Sequence, residues 1–363
     1  MYKIIKEGDI YINVPDVRIP EEGKNIGFYN PRMKTDRDIS IAILASFIKR
    51  FNIKNPIILD LMAASGVRGL RYKKEIGGDV TLNDISESAF NLIKRNAEMN
   101  SLNVKIFNKD ARLLALTLKK DNVKFDFIDI DPFGSPKGFI EYCIPLTKDI
   151  TLFSITATDT PVLFGLYPEA CLKRYGFRVE KLYFYREVGT RVLLSFVIKK
   201  FEENNKSIAP LLCYSTAHYV KLFFISSEEL SSKQLKNFES LEKYEDWIRL
   251  NEEDVLEKIK NIGKIYLGNL CNKDFCNDVL EEIRLRNLDG AKILNLAINE
   301  IEIPFYYDIH YIAKRFKIHE IPKSTEILDN LRKSGFLASR TVFCERGIKT
   351  NAKARELIYF MKK

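Results

Sequence analysis

Four short apolar runs recur about 20 to 25 residues apart in the first 131 residues, each ending at or beside an acid: Asp60, Asp84, Asp110 and Asp131. Apolar runs of this length, bounded by turn residues, read as buried strands. Helical patterns fill the intervals, as from Ser86 to Asn100, where Ala89, Leu92, Ile93 and Ala97 form one stripe. Strand and helix alternating at that spacing predict a parallel α/β sheet. Ligands in such sheets bind outside the carboxyl ends of the strands. A single acid there reads equally well as a helix cap; several together read as a binding edge.

The stretch Asp126-Phe127-Ile128-Asp129-Ile130-Asp131-Pro132-Phe133-Gly134 is the most informative. Pro132 removes a donor from the strand ladder and Gly134 tolerates unusual backbone angles, so the strand stops there. Asp131 and Phe133 are thereby predicted at the carboxyl end of a central strand. A carboxylate with the adjacent backbone carbonyl can accept the two hydrogens of an exocyclic amine, while an aromatic face stacks on the ring that carries it. The plain alternative is a strand-end turn in which Asp131 only caps.

The first strand–loop–helix unit runs through Met62-Ala63-Ala64-Ser65-Gly66-Val67-Arg68-Gly69 and lacks the G-x-G-x-x-G fingerprint of dinucleotide sites. A large cation, Arg68, suits a carboxylate-bearing ligand better than a pyrophosphate. That points away from NAD and towards S-adenosylmethionine, whose tail is an amino acid. Asp84 stands where an acid commonly meets ribose hydroxyls. Asp110 followed by the small Ala111 suits an adenine amino group and ring. Upstream, residues 2 to 14 predict a hairpin about Glu7-Gly8-Asp9, and residues 15 to 35 a loop. A helix follows from near Asp36, with Asp36 or Asp38 as cap and Ile39, Ile43, Phe47 and Ile48 as its apolar face. Arg37 in its first turn opposes the helix dipole. It could hold an anion, although a solvated surface arginine is the simpler reading.

Beyond Asp131 the pattern predicts a helix over 136–145 and a strand over 150–156 ending in the polar Ala157-Thr158-Asp159-Thr160-Pro161. Helices over 168–175 and from Arg186 to Asn204 follow, and a closing antiparallel hairpin spans 208–214 and 219–225. Composition shifts at Ser226, dividing the chain into a domain of residues 1–226 and another of 227–363. In the second, a strand over 263–268 and helices over 272–286 and 289–300 precede a capped helix opened by Ser324. A strand over 339–344 and a turn over 346–351 then suggest a winged-helix-like end.

The net charge of +9 suits a polyanionic partner. From Lys323 to Lys363 ten Lys or Arg face four acids, a net of +6. Basic clustering with interleaved aromatics is the footprint of nucleic-acid backbone binding; a solvated tail is the bland alternative. Cys271 and Cys276 lack the second pair that a closed zinc site needs, so no metal is expected. No apolar run reaches membrane-spanning length, and the start lacks a signal peptide's apolar core, so a cytoplasmic protein is expected.

The segments Phe28-Tyr29-Asn30-Pro31-Arg32-Met33 with Arg37-Asp38, Ala63 to Arg71, Asn83-Asp84-Ile85 and Asp131-Pro132-Phe133-Gly134-Ser135-Pro136 resemble the tRNA (guanine-26-N2)-dimethyltransferases of archaea and eukaryotes. So do Thr156-Ala157-Thr158-Asp159, Glu187-Val188-Gly189-Thr190-Arg191 and Gly347-Ile348-Lys349-Thr350-Asn351-Ala352, in the same order along nearly the whole chain. The resemblance implies a class I S-adenosylmethionine-dependent methyltransferase sheet, Rossmann-like, with a smaller α+β C-terminal RNA-binding domain, and tRNA as partner. It implies that Arg37, Arg68, Asp84, Asp110 and Ala111 hold S-adenosylmethionine. Asp131, the Pro132 carbonyl and Phe133, helped by Phe28, would hold the guanine. Some relatives carry a cysteine-rich zinc motif in the second domain; residues 226–262 contain no cysteine. Methylation of an amine on another RNA or on DNA, and RNA binding without catalysis, remain the competing readings.

Overall fold

The computed structural model describes residues 2–15, 29–229, 237–240 and 253–362. The opening hairpin pairs β1 (Tyr2–Glu7) with β2 (Ile10–Pro15), and Gly8 at φ +55° gives its two-residue turn the left-handed backbone it needs. Helix α1 (Lys34–Arg50) leads to strands β3 (Ile57–Asp60), β4 (Asp79–Asn83), β5 (Lys105–Phe107), β6 (Phe125–Ile130) and β7 (Thr147–Ala157). Their crossovers carry α2 (Val67–Arg71), α3 (Glu87–Met99), α4 (Ala111–Lys120) and α5 (Ile140–Cys143). Helices α6 (Thr160–Leu163), α7 (Pro168–Tyr175) and α8 (Tyr185–Glu202) then precede the hairpin β8 (Ser207–Ser215) and β9 (Val220–Ser227).

The strands form one sheet in the order β5-β4-β3-β6-β7-β9-β8. The first five run parallel, and β9 and β8 close the edge antiparallel, as the sequence predicts. Chain order reverses between β3 and β6, which places a ligand crevice at their carboxyl ends. The pleat sorts side chains by period two: Ile58, Phe127 and Leu152 join the core beside α1, while Leu59, Ile128 and Phe153 join the core beside α4 and α8.

The C-terminal part contributes β10 (Phe238–Ser240), α9 (Glu253–Ile262), β11 (Lys264–Tyr266), α10 (Lys273–Leu285) and α11 (Ala291–Asn299). After these come β12 (Tyr307–Asp308), α12 (Ile309–Arg315), α13 (Ser324–Lys333), β13 (Ala338–Arg340), β14 (Gly347–Thr350) and α14 (Ala354–Lys362). Helix α10 packs on α1, so α1 is buried on every side from Asp36 to Phe47 rather than along one stripe. Both apolar cores draw residues from either side of position 226.

Several local expectations change. Helix α1 begins at Lys34 after a 3-10 turn that Asn30 caps, its side-chain oxygen accepting from the Arg32 amide at 3.0 Å. Asp36 and Asp38 therefore cap nothing; both are buried and receive arginines. Residues 347–350, expected as a turn, form the central strand β14, while the expected strand over 339–344 ends at Arg340. Ser324 is the first residue of α13 and Lys323 its cap, with no capping hydrogen bond from the side chain. Lys349, counted among the basic residues of the tail, is buried against Glu187 at 3.1 Å and against Glu300. Glu187 also accepts from Arg191 at 2.8 Å and from the Phe305 amide at 2.9 Å. Burial works to raise the Glu187 carboxyl, but Lys349 and Arg191 overcome it and hold it below its ordinary range. This buried cluster ties α8 to β14, joining two stretches that the sequence marks separately.

Gly189, two residues from Glu187, lies against α6: a Cβ there would stand 2.8 Å from the Leu163 carbonyl oxygen and 2.8 Å from the Phe164 ring. Gly189→Ala is expected to destabilise the fold by about 1–3 kcal/mol. In urea titrations this reads as a lower midpoint with an unchanged slope.

Candidate active site

At the carboxyl end of β6, Asp131 leaves the sheet with its side chain 24% exposed, whereas Asp129, two residues earlier, is fully buried. Arg68 on α2 lies across both. Its Nη2 donates to Asp131 Oδ2 at 2.9 Å and to Asp36 Oδ2 at 2.8 Å, Nη1 donates to Ser40 Oγ at 2.9 Å, and Nε lies 3.3 Å from Asp129 Oδ2. Arg68 can reach this far because β3 turns sharply into α2 through Ala64 at φ +51° and Gly66 at φ +81°. Ala64 in the left-handed region is strained for a residue with a Cβ. Asp84 holds it there, Oδ2 accepting from the Ala64 amide at 2.9 Å, while Oδ1 accepts from the Ser86 amide at 2.9 Å. Burial raises the Asp84 carboxyl above its ordinary value.

The loop after Asp131 is clamped from β7. Thr158 Oγ1 accepts from the Gly134 amide at 2.6 Å, and the Thr158 amide donates to the Gly134 carbonyl at 2.8 Å. Gly134 sits at φ +80°, so only glycine takes this bend without strain. Tyr175 shares a hydrogen bond of 2.7 Å with Ser135 and donates to Asp159 at 2.8 Å. Pro132 is buried beneath the bend, and Phe133 is 74% exposed at its tip. The polar edge 157–161 thus fixes the Asp131 loop.

The remaining acids gather along the same edge. Asp110 caps α4, accepting from the Arg112 amide at 2.9 Å, and pairs with the Arg112 guanidinium at 2.8 Å. That guanidinium pulls the Asp110 carboxyl down to about 2. Ala111 follows, buried in the first helical turn. Asn83 ties the loops together, donating to the Leu61 carbonyl at 3.1 Å and to the Lys109 carbonyl at 3.0 Å. Phe28 lies outside the described residues.

Arg37 is not the solvated surface arginine that its position suggests. Only 4% exposed, it grips Glu7 with Nε at 2.6 Å and Nη2 at 2.5 Å, and stacks 5.0 Å from the Tyr29 ring centroid. Arg71, fully buried, joins Glu7 to Asp38 at 2.6 Å. The structure therefore brings Arg68 to Asp131 and Asp84 to the first loop, but places Arg37 in a separate cluster with Glu7. The sequence alone does not single out Asp36, Asp129, Tyr72, Tyr214 and Lys221, which surround Arg68 below the site. The available signals were an acid two residues before Asp131 on the same strand face and a lone lysine in the apolar run Tyr219–Ile225.

A family model described as N2,N2-dimethylguanosine tRNA methyltransferase matches residues 8–362. The chain belongs to that family. A tRNA (guanine(26)-N(2))-dimethyltransferase of Methanobrevibacter smithii is 35% identical over 98% of this chain and 96% of its own length. One of Methanocaldococcus jannaschii is 35% identical over 98% and 97%. Among solved structures, the Trm1 of Pyrococcus horikoshii in complex with S-adenosyl-L-methionine superposes with a TM-score of 0.82 at 29% identity, over 99% of this chain and all of that one. Family membership covers both halves of the chain, and the fold is that of a class I methyltransferase sheet, as expected. Among the described residues no cluster of His, Cys, Asp or Glu could hold a metal ion, and no helix is long and apolar enough to cross a membrane.

Burial works to raise the Glu7 carboxyl, but the bonds and charge of Arg37, with Tyr29 and Arg71, hold it below its ordinary 4.5. A lowered carboxyl stabilises the fold fully above its unfolded value and loses that contribution as pH falls through the folded one. Glu7→Gln is expected to cost about 3 kcal/mol at neutral pH, since it leaves two buried arginines short of a partner. The difference from the parent in urea stability should narrow as pH falls below 4.5.

Proposed function

We propose that this chain transfers methyl groups from S-adenosylmethionine to the exocyclic N2 of guanine 26 in tRNA, giving N2,N2-dimethylguanosine. The observation that carries the reading is Asp131. Its Oδ2 is gripped by Arg68, its position at the sheet edge opens to solvent, and the ring of Phe133 stands two residues away on a clamped loop. Oδ1 and the Pro132 carbonyl accept the two N2 hydrogens of a guanine stacked on Phe133. The guanine N2 lone pair is delocalised into its ring, and those two hydrogen bonds raise its electron density and aim it. In-line positioning is a large part of the barrier that a site can remove in such a transfer. Asp131 then accepts the proton released from N2, directly or through water. A guanine stacked inside folded tRNA cannot reach a carboxylate at a sheet edge, so the base is turned out into the site.

S-adenosylmethionine fits the donors along the neighbouring strand ends. Asp84 offers carboxylate lone pairs to ribose hydroxyls, and Asp110 with Ala111 offers an acceptor and a small surface to adenine. Arg68 carries the positive charge for an amino-acid carboxylate, which shares it with Asp131, while Arg37 stands apart with Glu7. Bound there, the sulfonium would supply an electrophilic methyl group.

The second domain, residues 227–363, is assigned to tRNA backbone contact, and a cytoplasmic location belongs to the same reading. Its support is a set of exposed cations in the C-terminal part: Lys323, Arg332, Lys333, Arg346, Lys353 and Arg355. Because β14 and α14 are built into the shared core, substitution of these residues tests the idea more cleanly than truncation. Changing Lys333, Lys353 and Arg355 together to Gln should weaken tRNA binding. It should also lower the slope of log affinity against log salt by about one for each phosphate left without its cation.

The deciding experiment combines nucleoside mass spectrometry with calorimetry. Asp131→Ala should abolish dimethylguanosine formation on an unmodified tRNA transcript while S-adenosylmethionine still binds. Turnover within a fewfold of the parent would remove Asp131 from the role.

A further inference from the structure

Beneath Asp131 lies a buried charge cluster assembled from five elements. Asp36 and Ser40 come from α1, Arg68 from α2, Asp60 from β3, Asp129 from β6, and Lys221 from β9. Lys221 is wholly buried. Its ammonium donates to Thr156 Oγ1 at 2.8 Å and lies 3.6 Å from Asp36 Oδ2 and 3.9 Å from Asp129 Oδ1. Sheet register puts it there, because Thr156 on β7 and Tyr214 on β8 are its direct neighbours across β9. Tyr214 donates to Asp36 Oδ1 at 2.9 Å, while Tyr72 and Ser154 each donate to Asp129 at 2.7 Å.

The charges can be counted. Burial, and then the charge of Asp129, push the Asp60 carboxyl well above its ordinary value, towards its neutral form. Burial likewise raises the phenols of Tyr72, Tyr214 and Tyr219, which stay protonated. Asp36, Asp129 and Asp131 then face two cations, Arg68 and Lys221. One negative charge is in surplus, and Asp131 is the only one of the three carboxylates with access to solvent. Arg68 is shared among all three, and Lys221 approaches only the two inner ones.

We propose that Lys221 is a positioning residue for the transfer. By offsetting part of the negative charge of Asp36 and Asp129 from below, it leaves Arg68 extended to Asp131, at the edge where the amine arrives. The proposal rests on the reading that Asp131 is the carboxylate that meets the guanine. Without Lys221 the inner acids draw Arg68 inward, because opposite charges attract most strongly where water is excluded. Asp131 then loses the guanidinium that orients it. Packing alone gives no reason for this lysine, since a well-packed apolar side chain in place of a buried ion pair is often at least as stabilising.

Lys221→Met tests this in the full chain with unmodified tRNA and S-adenosylmethionine. The expected result is a fall in kcat of about tenfold or more, with KM for tRNA within about twofold of the parent. Adding Asp36→Asn removes one inner negative charge, and the double variant should recover most of kcat. If Lys221→Met does not fold, as judged by circular dichroism, Lys221→Gln supplies the same comparison while keeping an amide donor near Thr156. A single variant with parental kcat would overturn the proposal. So would a double variant no better than the single one, because a lysine needed only for packing is not rescued by changing charge. An active parent with inert Asp131→Ala keeps the reading of Asp131 intact in either case, so the two failures are distinguishable.

Discussion

A single guanidinium holds the site together. Arg68 on α2 reaches Asp36 on α1 and both Asp129 and Asp131 at the end of β6, so three segments far apart in sequence meet at one planar group. Arginine suits this better than lysine, because its fixed fork can donate in several directions and it stays charged when buried. Burial works against the charged form of Arg68, but Asp129, Asp36 and Asp131 outweigh it and hold its protonation well above the ordinary range. The strained left-handed bend at Ala64, secured by Asp84, delivers Arg68 to that position. Asp84 therefore shapes the loop from which Arg68 reaches Asp131.

The same device recurs where the two parts of the chain join. Glu187 on α8 collects Arg191, Lys349 and the Phe305 amide, and Lys349 also meets Glu300. Leaving any one of these charges alone in the interior would be costly, so the cluster specifies how the C-terminal strands seat against the sheet. With both apolar cores crossing position 226, the strand ends that carry Asp84 and Asp131 and the C-terminal part are tied by shared packing.

Much of the fold was legible in local pattern. The hairpin at Gly8, the parallel run from β3 to β7, the long helix α8 and the closing antiparallel hairpin all follow from periodicity and turn chemistry. Local pattern failed where tertiary contact overrides it. Residues 347–350 look like a turn but become a central strand because β12 and β13 pair on either side. Asp36 and Asp38 look like caps but lie inside a helix covered by both the sheet and α10.

What the amino-acid order determined by itself was the succession of strands and the acids at their ends, since both are set by residues within a few positions of one another. Pro132 and Gly134 likewise stop β6 locally and set Asp131 at the edge. Which charge answers which was decided only by the folded chain. Asp36 with Lys221, Arg68 with Asp131 and Glu187 with Lys349 are separated by 63 to 185 residues. Their attraction depends on distance through a water-poor interior, and no spacing along the chain encodes that distance.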